Sequence, residues 1–176
     1  VGDRFIDITS ANHLQDGATV IDAKGSLLIP GLHDHHTHLI AYAASLVSIN
    51  CGPPNVVSEA DLKSALQRQP GRHWLRGTGY HESVLGHLDR QWLDTWAPER
   101  PIRIQHRSGR LWIFNSLGME IIANAALRLA PHERARLTSD DGRLYDVDEL
   151  LGNLTRSDLP PVKLASQQLA AFGVTG

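Results

Sequence analysis

The stretch Pro30-Gly31-Leu32-His33-Asp34-His35-His36-Thr37-His38-Leu39 decides how this chain is read, because it gathers four of the ten histidines into six residues. It opens on Pro-Gly, which punctuates the chain after the apolar run Leu27-Leu28-Ile29, and then reads as a brief strand from Leu32 to Leu39. Alternate residues of a strand point to one side, so Asp34, His36 and His38 share one face while His33 and His35 share the other. Two imidazoles at i and i+2 can reach one ion. A divalent ion held in this way lowers the pKa of a water toward neutrality and polarises a carbonyl under attack, which suits hydrolysis of unactivated C–N bonds. Read alone, a His-x-His pair more often marks a surface turn, so its surroundings must decide.

N-terminal to this stretch, apolar runs at Phe5, Ile6 and Ile8, at Thr19-Val20-Ile21 and at Leu27-Leu28-Ile29 alternate with Asp16-Gly17 and Lys24-Gly25. They read as short strands joined by tight turns. On its other side, Ser58 before Glu59 and Asp61 starts a helix with Leu62, Ala65 and Leu66 as its buried stripe and Pro70-Gly71 as its stop. From about Gly71 to Pro161 the elements shorten, and Trp74, Trp92, Trp96 and Trp112 are expected to pack a separate small core. Here Asp89 caps a short helix through Trp96, and Ile102 and Ile104 alternate with Arg103 and Gln105 as a half-buried strand. Asn115 caps a helix carrying Met119, Ile122, Ala126 and Leu129, and Asp146 with Glu149 forms a capping box for another. A last helix places Pro160 or Pro161 in its first turn and Val162, Ala165, Leu169 and Phe172 at helical spacing. It stops at Gly173, and Val174-Thr175-Gly176 reads as the threshold of a further strand.

Composition narrows the functional classes. A net charge of -2 from 17 basic and 19 acidic residues, mixed along the chain, gives no footprint for nucleic acid or an anionic membrane. Neither a bilayer-spanning apolar run nor a signal-like segment is present, so the cytoplasm is the expected compartment. The single cysteine, Cys51, excludes an internal disulfide and a multi-thiolate metal site, leaving histidine and carboxylate as available ligands.

The lead-in Leu27-Leu28-Ile29, then Pro30-Gly31, Asp34-x-His36-x-His38 and Leu39-Ile40, resembles the first barrel strand of the amidohydrolase superfamily of metal-dependent hydrolases. The segments Trp74-Leu75-Arg76-Gly77-Thr78-Gly79-Tyr80-His81-Glu82-Ser83, Leu88-Asp89-Arg90 and Pro101 to Trp112 with Asn115-Ser116 are similar to the insertion of its YtcJ-like branch. That branch includes N-substituted formamide deformylases. The resemblance implies an α/β fold: the N-terminal part of a (β/α)8 barrel, incomplete in this chain, with a flanking small β-sandwich segment and an inserted α+β subdomain. The implied organisation is 1–30 as the sandwich segment and 31–70 as the first barrel strand and following helix. The inserted subdomain follows at 71–160, then a barrel helix and the start of a second strand at 161–176.

It also implies that His36 and His38 ligate one or two divalent ions, zinc above all, that Asp34 orients neighbouring groups, and that His33 and His35 are not ligands. In the family the insertion faces the active site, so His81, Glu82, His106 and Arg110 become substrate contacts. Arg110 stands where many relatives carry His, and its fixed charge would favour an anionic or strongly accepting group. The expected reaction is hydrolysis of amide, N-acyl or N-formyl C–N bonds other than peptide bonds in a small-molecule substrate. Remaining ligands and the proton acceptor are expected beyond residue 176. This chain is then an N-terminal fragment, inactive alone and inclined to homo-oligomerise. The alternatives are an inactive binding or interaction module and one subunit of a split hydrolase.

Overall fold

The computed structural model describes residues 17, 19–69, 71, 73–155 and 160–176. Its centre is a five-stranded mixed sheet in chain order, β1 (Ile49–Asn50), β2 (Leu75–Tyr80), β3 (Ile102–His106), β4 (Leu111–Phe114) and β5 (Arg143–Tyr145). The first three strands run parallel and the last two antiparallel. Parallel neighbours need a crossover. Helices α2 (Glu59–Gln67) and α3 (Arg90–Trp96) supply those two crossovers.

Both helices start where short polar side chains can satisfy orphan N–H groups. Ser58 accepts from the Asp61 N–H at 3.3 Å, and Asp89 accepts from Gln91 and Trp92 at 2.9 and 3.2 Å. Their apolar faces, Leu62 and Leu66 with Leu93 and Trp96, cover one side of the sheet and meet Leu75, Ile102, Ile104, Leu111 and Ile113. Trp112, Phe114 and Leu144 point the other way, against α4 (Ser116–Ala125) and α6 (Asp148–Leu154). Every side chain of β4, Leu-Trp-Ile-Phe, is buried. A strand covered on both faces reads as a continuous apolar run, and this one does.

A second, smaller unit stands beside the sheet. Leu32 bridges Val174 in parallel, with the Leu32 N–H donating to Gly173 at 2.7 Å, Thr175 N–H to Leu32 at 2.9 Å and Asp34 N–H to Gly176 at 2.8 Å. Helix α1 (Leu39–Ser45) follows the first of these segments and α7 (Val162–Ala171) precedes the second. The two helices pack together, and the Tyr42 hydroxyl donates to Gln168 Oε1 at 2.8 Å. The strand start at 174–176 and the Gly173 stop, with φ of 85°, are where the sequence puts them. A 3-10 turn at Ala126–Arg128 and a short helix α5 (Pro131–Arg136) complete the described elements.

Several expectations are corrected. No strand forms in 19–30: Lys24-Gly25 is a turn, but Ile21, Leu27 and Leu28 are 89%, 88% and 82% exposed, since no neighbouring strand among the described residues pairs with them. The runs before residue 17 lie outside the described residues. The segment after Leu32 does not stay extended to Leu39, for it bends at 35–36 and enters α1. Helix α2, expected beside the first barrel strand, shares its core with the sheet instead. The four tryptophans do not pack one core: Trp96 lies on one face of the sheet, Trp74 and Trp112 on the other, and Trp92 is half-exposed. Asp146 caps nothing; α6 starts at Asp148, and Asp146 sits at φ 53° paired with Arg110.

Candidate functional site

The histidine cluster lies where the paired segment 32–34 gives way to α1. The Asp34 carboxylate accepts the His36 N–H at 3.0 Å and the Thr37 hydroxyl through a short bond, closing the turn that swings His36 outward. Those bonds, the Thr37 hydroxyl first, hold Asp34 below the usual carboxylate range. The rings pair in the two groups the sequence suggests, although the chain bends between them. His36 and His38 stand 5.0 Å apart between centroids, and His33 and His35 stand 4.5 Å apart. All four residues are exposed, and neither the His36 nor the His38 ring has a hydrogen-bond partner among the described residues. Two free imidazoles on one side suit a borderline-soft divalent ion, and buried Cys51 brings no competing thiolate. Two ligands fall short of the three that a catalytic zinc takes, and no cluster of three ligating groups occurs among the described residues. The recess beside the cluster, about 650 Å³, is lined by Asp34, His35, Thr37, Leu39 and Leu169, thus on the His35 side.

His81 and Glu82 follow the last residue of β2, and His106 ends β3, so they share the carboxyl end of two adjacent parallel strands, where α/β sheets place their sites. His106 Nδ1 accepts the Ser108 N–H at 3.1 Å, which leaves Nε2–H to donate to Glu82 Oε2 at 2.9 Å. The His81 ring stacks on His106 at 6.1 Å. Partial burial pulls Glu82 upward, but bonds from its own N–H and from His106 outweigh it and hold the carboxylate below its ordinary value. Arg110 borders the same shallow recess of about 330 Å³. Its guanidinium, however, is clamped by Asp146, Nε to Oδ1 and Nη2 to Oδ2 both at 2.7 Å. The structure thus brings His81, Glu82, His106 and Arg110 together. Glu82, His106 and Arg110 line one recess, with His81 stacked on His106 beside it; that recess is lined by none of the histidines at 33–38, and the recess beside that cluster by none of these four.

A third cluster escaped the sequence reading. Arg76 of β2 and Arg103 of β3 are partners in register, and their guanidiniums lie over the Trp112 ring at 5.8 and 5.9 Å. Arg103 also covers Trp74 at 5.6 Å. Alternation with Ile102 and Ile104 assigned Arg103 to a half-solvated face. The missed signal was an arginine at the same register position of two adjacent strands, on the face that also carries two tryptophans.

The sequence model of the amidohydrolase family matches residues 19–144. The protein LONG AFTER FAR-RED 3 of Arabidopsis thaliana is 25% identical over 130 residues, 70% of this chain and 22% of that protein. An N-substituted formamide deformylase of Arthrobacter pascens is 27% identical over 116 residues, 62% of this chain and 21% of that enzyme. The chain therefore spans about a fifth of the length of these curated relatives. Among solved structures, an uncharacterized metal-dependent hydrolase of Pyrococcus horikoshii superposes with a TM-score of 0.63 at 18% identity, over 84% of this chain and 30% of that one. One of Pyrococcus furiosus gives 0.58 at 19% identity, over 82% and 30%. These likenesses establish the fold.

Proposed function

This chain belongs to the amidohydrolase family, and from that premise we propose that the protein it serves is a divalent-metal-dependent hydrolase of non-peptide C–N bonds in amide, N-acyl or N-formyl substrates. One observation carries the reading: the His36 and His38 rings stand 5.0 Å apart where the paired segment gives way to α1, without hydrogen-bond partners among the described residues. They are the ligands this chain contributes to a (β/α)8 site, with zinc as the ion and with further ligands and a proton acceptor needed to complete it. A divalent ion there acidifies a water and polarises the bond under attack. Asp34 fixes the turn that presents His36. Glu82 and Ser108 hold His106 in one tautomer, and His106, His81 and the free Nη1 edge of Arg110 orient the substrate. Likeness to an N-substituted formamide deformylase supports the substrate class.

Metal analysis of the full-length protein tests the ligand assignment. A His36→Ala, His38→Ala double variant is expected to lose metal and turnover together, while a His33→Ala, His35→Ala variant keeps both. Unchanged metal in the first variant would sink the assignment. Arg110→Ala is expected to raise KM several-fold with metal content intact, the pattern of lost binding rather than lost chemistry. A wild-type KM across several N-acyl substrates would return Arg110 to the surface, paired only with Asp146.

A further inference from the structure

The sheet face that carries Trp112 is covered by α4 and α6 near β4 and β5, but near β2 and β3 it opens into a cavity of about 480 Å³. Arg76 and Arg103 form its charged wall, Trp74 and Trp112 its flat apolar walls, and Ala44 and Val47, at and just beyond the last turn of α1, face them. Like charges directly opposite on neighbouring strands are destabilising, and partly buried charge is costly unless paired. Neither arginine has a carboxylate within ion-pair distance among the described residues. Arg76 Nη1 donates to the Ser48 hydroxyl at 2.8 Å and Arg103 Nη1 to the Thr155 hydroxyl at 2.7 Å. Arg103 Nε is buried with no hydrogen-bond partner among the described residues. Asp148 borders the cavity, but its Oδ1 accepts from the Trp112 indole N–H at 2.9 Å and from Gln105 at 3.3 Å. Burial, with Arg76 alongside, pushes Arg103 down to about 10. Among the described residues the hydrogen bonds of this pair go to neutral hydroxyls and its ring contacts to indoles, so neither guanidinium is neutralised by a carboxylate.

We propose that Arg76 and Arg103 form an oxyanion site that takes the carboxylate of a small ligand with a flat apolar body. The guanidinium forks match a planar carboxylate. The indoles offer faces on which an aromatic or conjugated body stacks, and the volume suits a small molecule. Helix α1 ties this site to the histidines, with His38 at its start and Ala44 roughly 10 Å along its axis. The inference does not rest on hydrolase chemistry, because it is read by binding.

The test titrates the full-length protein with benzoate and follows tryptophan fluorescence, with benzamide as the neutral isostere and inorganic phosphate as the oxyanion without a flat body. Benzoate is expected to quench saturably and raise Tm, and benzamide to do neither. Phosphate is expected to bind more weakly than benzoate. Arg103→Gln and, as a second variant should the first fail to fold, Arg76→Gln should weaken benzoate at least tenfold. Exposed Arg134→Gln should leave binding unchanged. Equal binding of benzamide, phosphate binding better than benzoate, an unaltered benzoate affinity in a folded arginine variant, or no saturable response would each overturn the proposal.

Discussion

At the scale of single residues, Asn115 does the most joining. It is fully buried, and its Oδ1 accepts both the Gly118 N–H in the first turn of α4 and the Ile102 N–H at the start of β3, each at 2.9 Å. Its Nδ2 donates to the Arg100 carbonyl at 2.7 Å. The sequence announces only the first of these roles, a helix cap; the others join residues 13 and 15 positions away and have no local signature. Asn115→Ala removes the cap and orphans a buried N–H, so it should cost roughly 2–5 kcal/mol in urea unfolding. A loss below about 1 kcal/mol would mean the cap alone mattered. Cys51 gives the residue-scale pH prediction. Burial pushes its thiol up to about 12, so folding favours the neutral form. That contribution is fully present below the unfolded thiol's value, near 9, and fades as pH rises from there through 12. The native protein should therefore resist a thiol reagent at pH 8 and react once per chain in denaturant. Rapid native labelling would show that the β1 edge opens.

Single elements divide by whether their cues are local. Helices α2, α3 and α4 were legible because Ser58, Asp89 and Asn115 each precede an apolar periodicity, and all three side chains cap as read. Helix α1 was not legible, for it spans seven residues, has no side-chain cap and no acid in its first turn, and continues a run that reads as strand. Its helicity comes from packing on α7, a partner more than 100 residues away. The same lack of locality undid the strands expected in 19–30, where apolar runs are present and a partner strand among the described residues is not. It also hid the arginine pair, which only the register of β2 and β3 assembles. The way α4 docks yields a prediction opposite in sign to helix propensity. Replacing a helical Gly by Ala ordinarily gains up to about 1 kcal/mol. At Gly118 a Cβ would sit 2.8 Å from the Ile102 carbonyl oxygen, which is backbone and cannot turn aside. Gly118→Ala should thus destabilise by about 1–3 kcal/mol, with a lower urea midpoint and an unchanged slope. A gain in stability would place α4 farther from β3 than described.

For the whole molecule, the sheet carries helices on both of its faces, whereas the unit built from 32–34, α1, α7 and 174–176 leaves its ladder open. Its two extended segments pair with each other, and no further strand among the described residues continues the ladder on either side. Leu27, Leu28 and Ile29 lie in sequence just ahead of it and Leu32 within it, all more than half exposed. A ladder open at its edges beside a run of exposed leucine and isoleucine is a template for association. The 176-residue chain purified by itself is therefore expected to form oligomers at micromolar concentration, detected by light scattering. Replacing Leu27 and Leu28 by Glu should shift it toward monomer, because charge on an exposed apolar strip opposes its burial. The same chain, loaded with zinc, should hydrolyse no N-formyl or N-acyl substrate, since the proposed ligands His36 and His38 are two and no cluster of three ligating groups occurs among the described residues. Metal-dependent turnover by a preparation of confirmed mass would refute that half, and a monodisperse monomer at about 100 µM would refute the other. The two halves are separable, because the leucine variant alters association without touching the histidines.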